Sequence, residues 1–196
     1  MSKGERTRER IIRQTGPLFN ERGYAGAALS DILEATGLRK GGIYNHFASK
    51  DELALAAFDH TFELASRHVV RALEGKEVPV ERLSALLEAY RTLLEEPALR
   101  GGCPILNTAV ESDDTHPALR ERARAAMDRW RALFRNTIER GIACGTVRAV
   151  DADEVASVMI STIEGAVMMS KLYSDRVHLE RAINHLQRYV EEDLAC

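Results

Sequence analysis

The sequence predicts an all-α protein of about nine helices, and three observations support this fold class. Apolar residues recur at spacings of three and four, as at Leu83, Leu86, Leu87 and Tyr90, whereas the alternating runs typical of strands are absent. Glycines, prolines and capping residues mark helix ends at regular intervals. The 196 residues are 45% apolar and 29% charged, a composition that buries a core without disulfides or metal.

The predicted helices begin and end at recognisable signals. Pro17 lacks the backbone N–H that a helix interior uses, so the first helix is expected to kink or break there. Ser49 and Glu52 have the spacing of a capping box, which starts a long helix at about residue 50, and Asp151 with Glu154 has the same spacing. The expected helices cover approximately residues 5–22, 29–36, 40–47, 50–74, 79–96, 103–112, 116–141, 151–174 and 176–193.

Residues 29–47, LSDILEATGLRKGGIYNHF, have the pattern of a helix-turn-helix. An apolar stripe starts at Leu29, Gly37 ends the first helix in a left-handed conformation, and Ile43 and Phe47 form a buried pair on the second. A recognition helix shows polar and basic groups opposite its core contacts. Here these groups are Arg39, Lys40, Tyr44, Asn45 and His46. A plain helical hairpin is the alternative interpretation of the same periodicity.

Charge is distributed unevenly along the chain. Residues 1–50 carry nine Lys and Arg against five acids, a net of +4, so the total of −3 leaves −7 for residues 51–196. A basic end on an acidic body favours contact between that end and a polyanion. Uneven charge also arises by chance in small proteins, so charge alone does not decide between these interpretations.

The stretch from Arg10 to Phe58 resembles the DNA-binding domain of the TetR (tetracycline repressor) family of bacterial transcriptional regulators. The resemblance rests on the motifs FxxRGY, DIxxAxG and KGxIYxHFxSKxxL. It implies a helix-turn-helix DNA-binding domain over residues 1–48 and a helical effector-binding and dimerisation domain over residues 49–196. The helix at about 50–74 links the two, and Lys50 at its start matches the family's phosphate-binding lysine.

The resemblance assigns roles to individual residues of the recognition helix. Lys40 and Gly41 match positions that touch bases or nearby phosphates, and Tyr44 and His46 match positions that contact the DNA backbone. Gly41, without a side chain, allows close approach to a base edge or phosphate. The amide of Asn45 has the donor and acceptor geometry that pairs with an adenine edge.

Three departures from the family pattern change the expected contacts. Ala27 and Ala28 stand where Thr or Ser is common, so Ser30 is the candidate for the missing cap and phosphate contact. Arg39 replaces a small capping residue and adds a possible contact to guanine or phosphate, and Gly42 replaces Thr or Ser. The residues predicted to bind DNA are Ser30, Arg39, Lys40, Gly41, Gly42, Tyr44, Asn45, His46 and Lys50.

The resemblance further implies a small-molecule effector pocket among the middle helices. Its candidate lining residues are apolar or neutral and fall on stripes expected to face inward, although such residues also form ordinary core. They are Phe62, Tyr90, Cys103, Asn107, Trp130, Phe134, Met159, Ile163 and Met168. The segment GGCP around Cys103 resembles a subgroup of TetR-like repressors, some of which sense electrophiles or oxidants through cysteine; an ordinary buried cysteine is the alternative.

The last two helices, about 151–174 and 176–193, are expected to form a homodimer. The first is apolar or small around more than one face, and a helix with two apolar faces has to bury both. One face packs on the core and the other on a second subunit, giving a four-helix bundle about a two-fold axis. This symmetry predicts a palindromic double-stranded DNA operator, whereas a monomer whose other helices cover both faces is the alternative.

Other function classes find little support in the sequence. The six histidines are spread over four of the predicted helices without HExxH, and GxSxG and phosphate-binding loops are absent, which argues against an enzyme, a cofactor or a metal site. Three cysteines without CxxC spacing and a charged N-terminus without an apolar segment favour the reducing cytoplasm and no membrane partner. The remaining alternative to a ligand-responsive regulator is a helical interaction module that has lost specific DNA binding.

Overall fold

The computed structural model describes residues 2–93, 95–99, 101–112 and 114–196, and within these ranges the all-α prediction is confirmed. A 3-10 turn lies at Pro97–Leu99, and a π-helical turn lies at Tyr189–Leu194. The helices are α1 (Lys3–Gly26), α2 (Leu29–Thr36), α3 (Lys40–Tyr44), α4 (Lys50–Ala72), α5 (Pro79–Leu93), α6 (Pro104–Ser112), α7 (Pro117–Ala143), α8 (Ala152–Tyr173) and α9 (Val177–Arg188).

The break in α1 lies at Gly23 rather than at the predicted Pro17. The helix continues through Pro17, and its non-helical dihedral angles are at Gly23, with φ 74° and ψ 172°. A Cβ atom at this position would lie 2.6 Å from a carboxylate oxygen of Glu111. Both the positive φ and the close approach therefore require glycine, and a residue far away in the sequence decides where the helix breaks.

The caps follow the predicted signals, with one change of partner at the start of α4. Ser49 Oγ accepts from the Glu52 amide at 3.1 Å, but the Glu52 carboxylate accepts from the amide of Ala48 rather than from that of Ser49. Asp151 accepts from the amides of Asp153 and Glu154, both at 3.0 Å. The recognition helix α3 ends at Tyr44, three residues earlier than predicted, because the amides beyond it return to the Ile43 carbonyl in a tight turn.

The chain forms two compact units, and the first comprises residues 1–65 and 95–125. Its main cluster joins the first four helices through Ile11, Ile32, Ile43 and Leu53, all at most 2% exposed. Helix α6 packs on α1. The Asn107 amide donates to the Asn20 carbonyl at 3.0 Å and to the Gly101 carbonyl at 2.7 Å, and this joins the start of α6 to the middle of α1.

The second unit comprises residues 66–94 and 126–196. Helix α9 packs on α8 and α5. Tyr90 lies at its centre, with ring centroids 5.0 Å from Trp130 and 6.4 Å from Phe134. By length and composition α8 could cross a membrane, but half of that window is buried in the protein, as in a core helix. The functional division at residue 48 stays a prediction.

Candidate nucleic-acid interface

The turn of the helix-turn-helix contains the left-handed glycine that the sequence predicts. Gly37 ends α2 with φ 64°, a left-handed conformation that glycine adopts without strain. At the start of α2, the carboxylate of Asp31 accepts from the Ala28 amide at 2.8 Å and pairs with Arg22 at 2.9 Å. Asp31 therefore supplies the cap hydrogen bond that was expected from Ser30, and Ser30 is an exposed residue of the first turn.

The recognition helix α3 presents its basic and polar residues to solvent. Arg39, Lys40, Tyr44 and Asn45 are exposed, while Ile43 is 2% exposed and anchors the helix to the core. The Lys40 ammonium lies 5.8 Å from the centroid of the Tyr44 ring, so both side chains occupy one face. Cation and phenol side by side on an exposed face suit a phosphate backbone.

The two glycines of α3 have different surroundings. A Cβ at Gly41 would meet no atom within 4 Å, so this position is open for close approach of another molecule. A Cβ at Gly42 would lie 3.4 Å from the Leu38 side chain. Gly42 therefore faces the turn of the motif, and it contributes packing rather than an open surface.

Lys50 and His46 border this face and are partly buried. The Lys50 ammonium donates to the Tyr24 carbonyl at 2.5 Å and lies 4.4 Å from the centroid of the Tyr24 ring. The predicted phosphate-binding lysine is thus positioned by the end of α1. Arg8 packs over the Phe47 ring at 4.7 Å and pairs with Glu52 at 3.5 Å, which fixes the first helix to the start of α4.

Tyr24 connects three elements of the first unit, and the sequence analysis did not identify this role. Its hydroxyl donates to Asp51, and this hydrogen bond, with desolvation and the nearby charge, raises the pKa of Tyr24 to about 12. The amides of Tyr24 and Ala25 donate to the two carboxylate oxygens of Glu111 at 2.7 and 2.8 Å. The His116 ring stands edge-on to the Tyr24 ring, with centroids 4.8 Å apart.

This network links Lys50, the predicted phosphate-binding lysine, to α6. Glu111 holds the backbone at residues 24 and 25, and the carbonyl of Tyr24 holds Lys50. The only sequence signal was the RGY part of the motif FxxRGY, where a glycine precedes the tyrosine. Glu111 itself carried no signal, because its partners are 86 and 87 residues away.

The residues predicted to line an effector pocket do not share one described cavity. Asn107 lines a cavity of about 30 Å³ in the first unit, which has room for about one water molecule. Met159 lines a groove of about 460 Å³ between α8 and α9 in the second unit. Tyr90, Trp130 and Phe134 form the aromatic cluster of that unit, and Phe62 and Ile163 are core residues.

Met168 and Cys103 differ from each other in exposure. The Met168 side chain is 53% exposed, so the expectation that it faces inward is wrong; it lies on the outer face of α8. Cys103, the predicted sensing thiol, is 5% exposed at the start of α6. In the described part of the chain, no three His, Cys, Asp or Glu residues are grouped so that they could hold a metal ion.

Comparisons with known proteins agree with this geometry. Residues 11–57 match the family described as "Bacterial regulatory proteins, tetR family", and residues 79–186 match "Tetracyclin repressor-like, C-terminal domain". An uncharacterized HTH-type transcriptional regulator of Mycobacterium tuberculosis is 32% identical over 193 residues, covering 95% of each chain. The HTH-type transcriptional repressor DhaR of Mycobacterium sp. strain GP1 is 29% identical, covering 89% of this chain and 87% of its own.

Among solved structures, a TetR transcriptional regulator from Chloroflexus aurantiacus superposes with a TM-score of 0.95. It is 49% identical in sequence, and the match covers 100% of this chain and 99% of that one. The likeness therefore extends over both the helix-turn-helix and the helical remainder.

Proposed function

Because the chain belongs to the TetR family of bacterial transcriptional regulators, we propose that it is a cytoplasmic repressor that binds a palindromic operator as a homodimer. A small-molecule or electrophilic effector releases it from DNA. The observation that carries the proposal is the exposed face of α3, where Arg39, Lys40, Tyr44 and Asn45 surround an open Gly41. The repressor direction is supported by the likeness to DhaR.

The face of α3 supports a division of labour in DNA binding. Arg39 and Lys40 have the donors that read the O6 and N7 atoms of guanine, and Asn45 suits adenine. Tyr44 and Lys50 contact the phosphate backbone and orient the helix in the major groove. Positioning of Lys50 by Tyr24 directs its ammonium group before DNA arrives, which lowers the conformational entropy lost on binding.

The outer face of α8 supports the homodimer. Val158 is 57% exposed, Met168 53% and Leu172 71%, a concentration of apolar surface on one helix. A Cβ at Gly165 would meet no atom within 4 Å, so a second helix can approach closely there. A two-fold pair of α8 and α9 buries this face and sets the spacing of two recognition helices at about 34 to 36 Å or a multiple.

The aromatic cluster supports an effector of lipophilic character. Tyr90, Trp130 and Phe134 offer a large polarisable surface in the second unit, with few charges among the predicted lining residues. An effector that fits there releases DNA only to the extent that it binds the released state more tightly. Since Cys103 is 5% exposed, an electrophile reaches it only after local opening of α6.

Selection from a random pool tests this proposal. The reduced, full-length protein is incubated with randomised duplex DNA at near-physiological salt, and the bound DNA is recovered and sequenced. We expect enrichment of a palindrome. The double variant Tyr44→Ala/Lys50→Ala, treated in the same way, should recover much less DNA, because it has lost two contacts to the phosphate backbone. Recovery of unenriched DNA by a folded, dimeric wild-type protein would overturn the proposal in favour of an interaction module.

A further inference from the structure

In the turn after α7, Thr146 contacts two segments that each carry an exposed cysteine. The Cys144 sulfur lies 3.2 Å from the hydroxyl oxygen of Thr146. The amide of Cys196 donates to the Thr146 carbonyl at 3.3 Å. Both thiols are exposed, and both belong to the second compact unit. Thr146 therefore joins two cysteine-bearing segments that are distant in sequence.

A glycine conformation and two backbone hydrogen bonds fix the position of this turn. Gly145 has φ 73°, and the amides of Thr146 and Val147 return to the Gly141 carbonyl at 2.9 and 3.1 Å. This pattern is a glycine-terminated helix end. A Cβ at Gly141 would overlap the Val147 side chain, so glycine is required there as well. The chain leaves α7 in one defined direction.

The end of the structure then pairs with this turn. Val147 and Ala195 form an antiparallel bridge, and the amide of Arg148 donates to the Leu194 carbonyl at 2.8 Å. This register places Thr146 directly opposite Cys196. Directly opposed side chains of an antiparallel pair share a face, with Cβ atoms about 4.5 to 5.5 Å apart. Cys196 is therefore on the face where the Thr146 hydroxyl meets the Cys144 sulfur.

We propose that Cys144 and Cys196 are a redox-active thiol pair that a peroxide converts into a disulfide. The bond links the α7–α8 turn to the segment after α9, so that α8 and α9 lie within one covalent loop. Disulfide geometry needs Cα atoms within roughly 7 Å, a separation that a shared neighbour and a shared face favour. This inference does not depend on DNA binding, so it stands or fails apart from the proposed function.

The surroundings make Cys144 the attacking thiol. The side-chain contact with Thr146 and the positive charge of the nearby Arg140 lower the pKa of Cys144 from its usual range. A larger thiolate fraction at neutral pH speeds reaction with peroxides. Cys103, at 5% exposure, is protected from the same reagent.

Hydrogen peroxide is the oxidant in this reaction, so the two thiols need no bound cofactor to form the disulfide. The Cys144 thiolate attacks one oxygen of hydrogen peroxide, the O–O bond breaks, and the hydroxide that leaves takes up a proton to become water. Cys144 is then a sulfenic acid. The Cys196 thiolate attacks this sulfur, the S–S bond forms, and the S–O bond breaks to release a second water after protonation. Two thiols lose two electrons, and one peroxide becomes two waters.

Peptide mapping tests the pair directly. The reduced full-length protein is treated with equimolar hydrogen peroxide, free thiols are blocked with N-ethylmaleimide, and the tryptic digest is analysed without reduction. We expect residues 141–148 (GIACGTVR) linked to residues 189–196 (YVEEDLAC), with a mass two hydrogens below the sum of the reduced peptides. The oxidised protein should run at monomer mass on a non-reducing gel.

Three results would overturn the pair: both cysteines recovered only as maleimide adducts, Cys144 linked to Cys103, or a linked species at twice the monomer mass. The variant Cys196→Ser should lack the link and instead accumulate a dimedone-reactive sulfenic acid at Cys144. The matched variant Cys103→Ala should form the 144–196 link as the wild type does. Failure of either variant to behave in this way contradicts the assignment.

A second variant tests which thiol attacks. Thr146→Val removes the hydroxyl and keeps the shape of the side chain, so the pKa of Cys144 should rise. Alkylation of Cys144 by iodoacetamide at pH 7 should then slow by roughly threefold or more, while Cys196 reacts at its former rate. An unchanged rate at Cys144 would show that Thr146 does not activate this thiol.

Discussion

The recognition helix and the residues predicted to line an effector pocket differ in where their side chains lie. In α3, Arg39, Lys40 and Tyr44 are exposed on a short helix held by one buried isoleucine. In the predicted effector set, Phe134 and Ile163 are fully buried and Met168 is 53% exposed. Residues in the first region are exposed to solvent, whereas most residues in the second are part of the core.

DNA affinity is the measurement suited to the exposed region, and the free energy of unfolding is the one suited to the buried region. If α3 binds DNA as proposed, an exposed residue of α3 contributes little to the free energy of unfolding and much to DNA affinity. A buried aromatic residue contributes mainly to unfolding, whatever else it binds. Substitutions in the two regions should therefore separate into a binding class and a stability class.

The largest effect is expected at Phe134. Phe134→Ala removes a fully buried ring that packs beside Tyr90, and it should lower the free energy of unfolding by about 3 to 5 kcal/mol. Urea denaturation measures this loss. The control Val110→Ala, at a residue that is 69% exposed and lies outside the proposed dimer face, should stay within about 0.5 kcal/mol of wild type. A Phe134→Ala protein of wild-type stability would show that the ring borders an open cavity and would break the comparison.

DNA binding should respond next most strongly, at the exposed face. Tyr44→Ala/Lys50→Ala should weaken binding to any duplex by about 2 to 3 kcal/mol and reduce the salt slope by about 1. Fluorescence anisotropy over a range of salt concentrations measures both quantities. Lys76→Ala, an exposed lysine of the second unit, is the control and should bind as wild type does. Equal affinities of the double variant and the control would show that the docking face is elsewhere.

Gly23→Ala should have a smaller effect than these two changes, and the effect is on the free energy of unfolding. The positive φ and the nearby Glu111 carboxylate both oppose a Cβ, so unfolding should become easier by about 1 to 2 kcal/mol. Thermal unfolding measures the change. Gly26→Ala is the matched control, since its nearest neighbour for a Cβ is 3.8 Å away, and it should be neutral or slightly stabilising. If both variants lose the same stability, the Glu111 contact plays no part.

The smallest expected effect is the contribution of Tyr24 to the pH dependence of stability. Its pKa of about 12 in the folded state lies above the ordinary value of 10.0, so the folded state holds this proton more tightly. The resulting stability is complete below pH 10 and is lost as the pH rises through 12. As the pH rises between these values, the free energy of unfolding should fall less in Tyr24→Phe than in wild type. The two losses should differ by a few tenths of a kcal/mol, because solvent screens the interaction. Urea denaturation at pH 9 and 11 compares them; parallel losses would contradict the assignment.

Much of the candidate DNA-binding surface was predictable because its determinants are local. Gly37 ends α2 as expected, Ile43 and Phe47 are buried at the predicted spacing, and Asp151 caps α8. Helical periodicity and caps act between residues three or four positions apart, so a linear pattern records them. The same pattern also indicated which side of α3 faces outward.

The sequence by itself thus determined the helices, most of their boundaries and the polar face of the recognition helix. Tertiary structure alone decided that α1 breaks at Gly23, that Glu111 holds Tyr24 and Ala25, and that Thr146 lies opposite Cys196. It also decided that Met168 faces outward. These contacts join residues tens of positions apart, and periodicity within one helix does not show which neighbour covers each face.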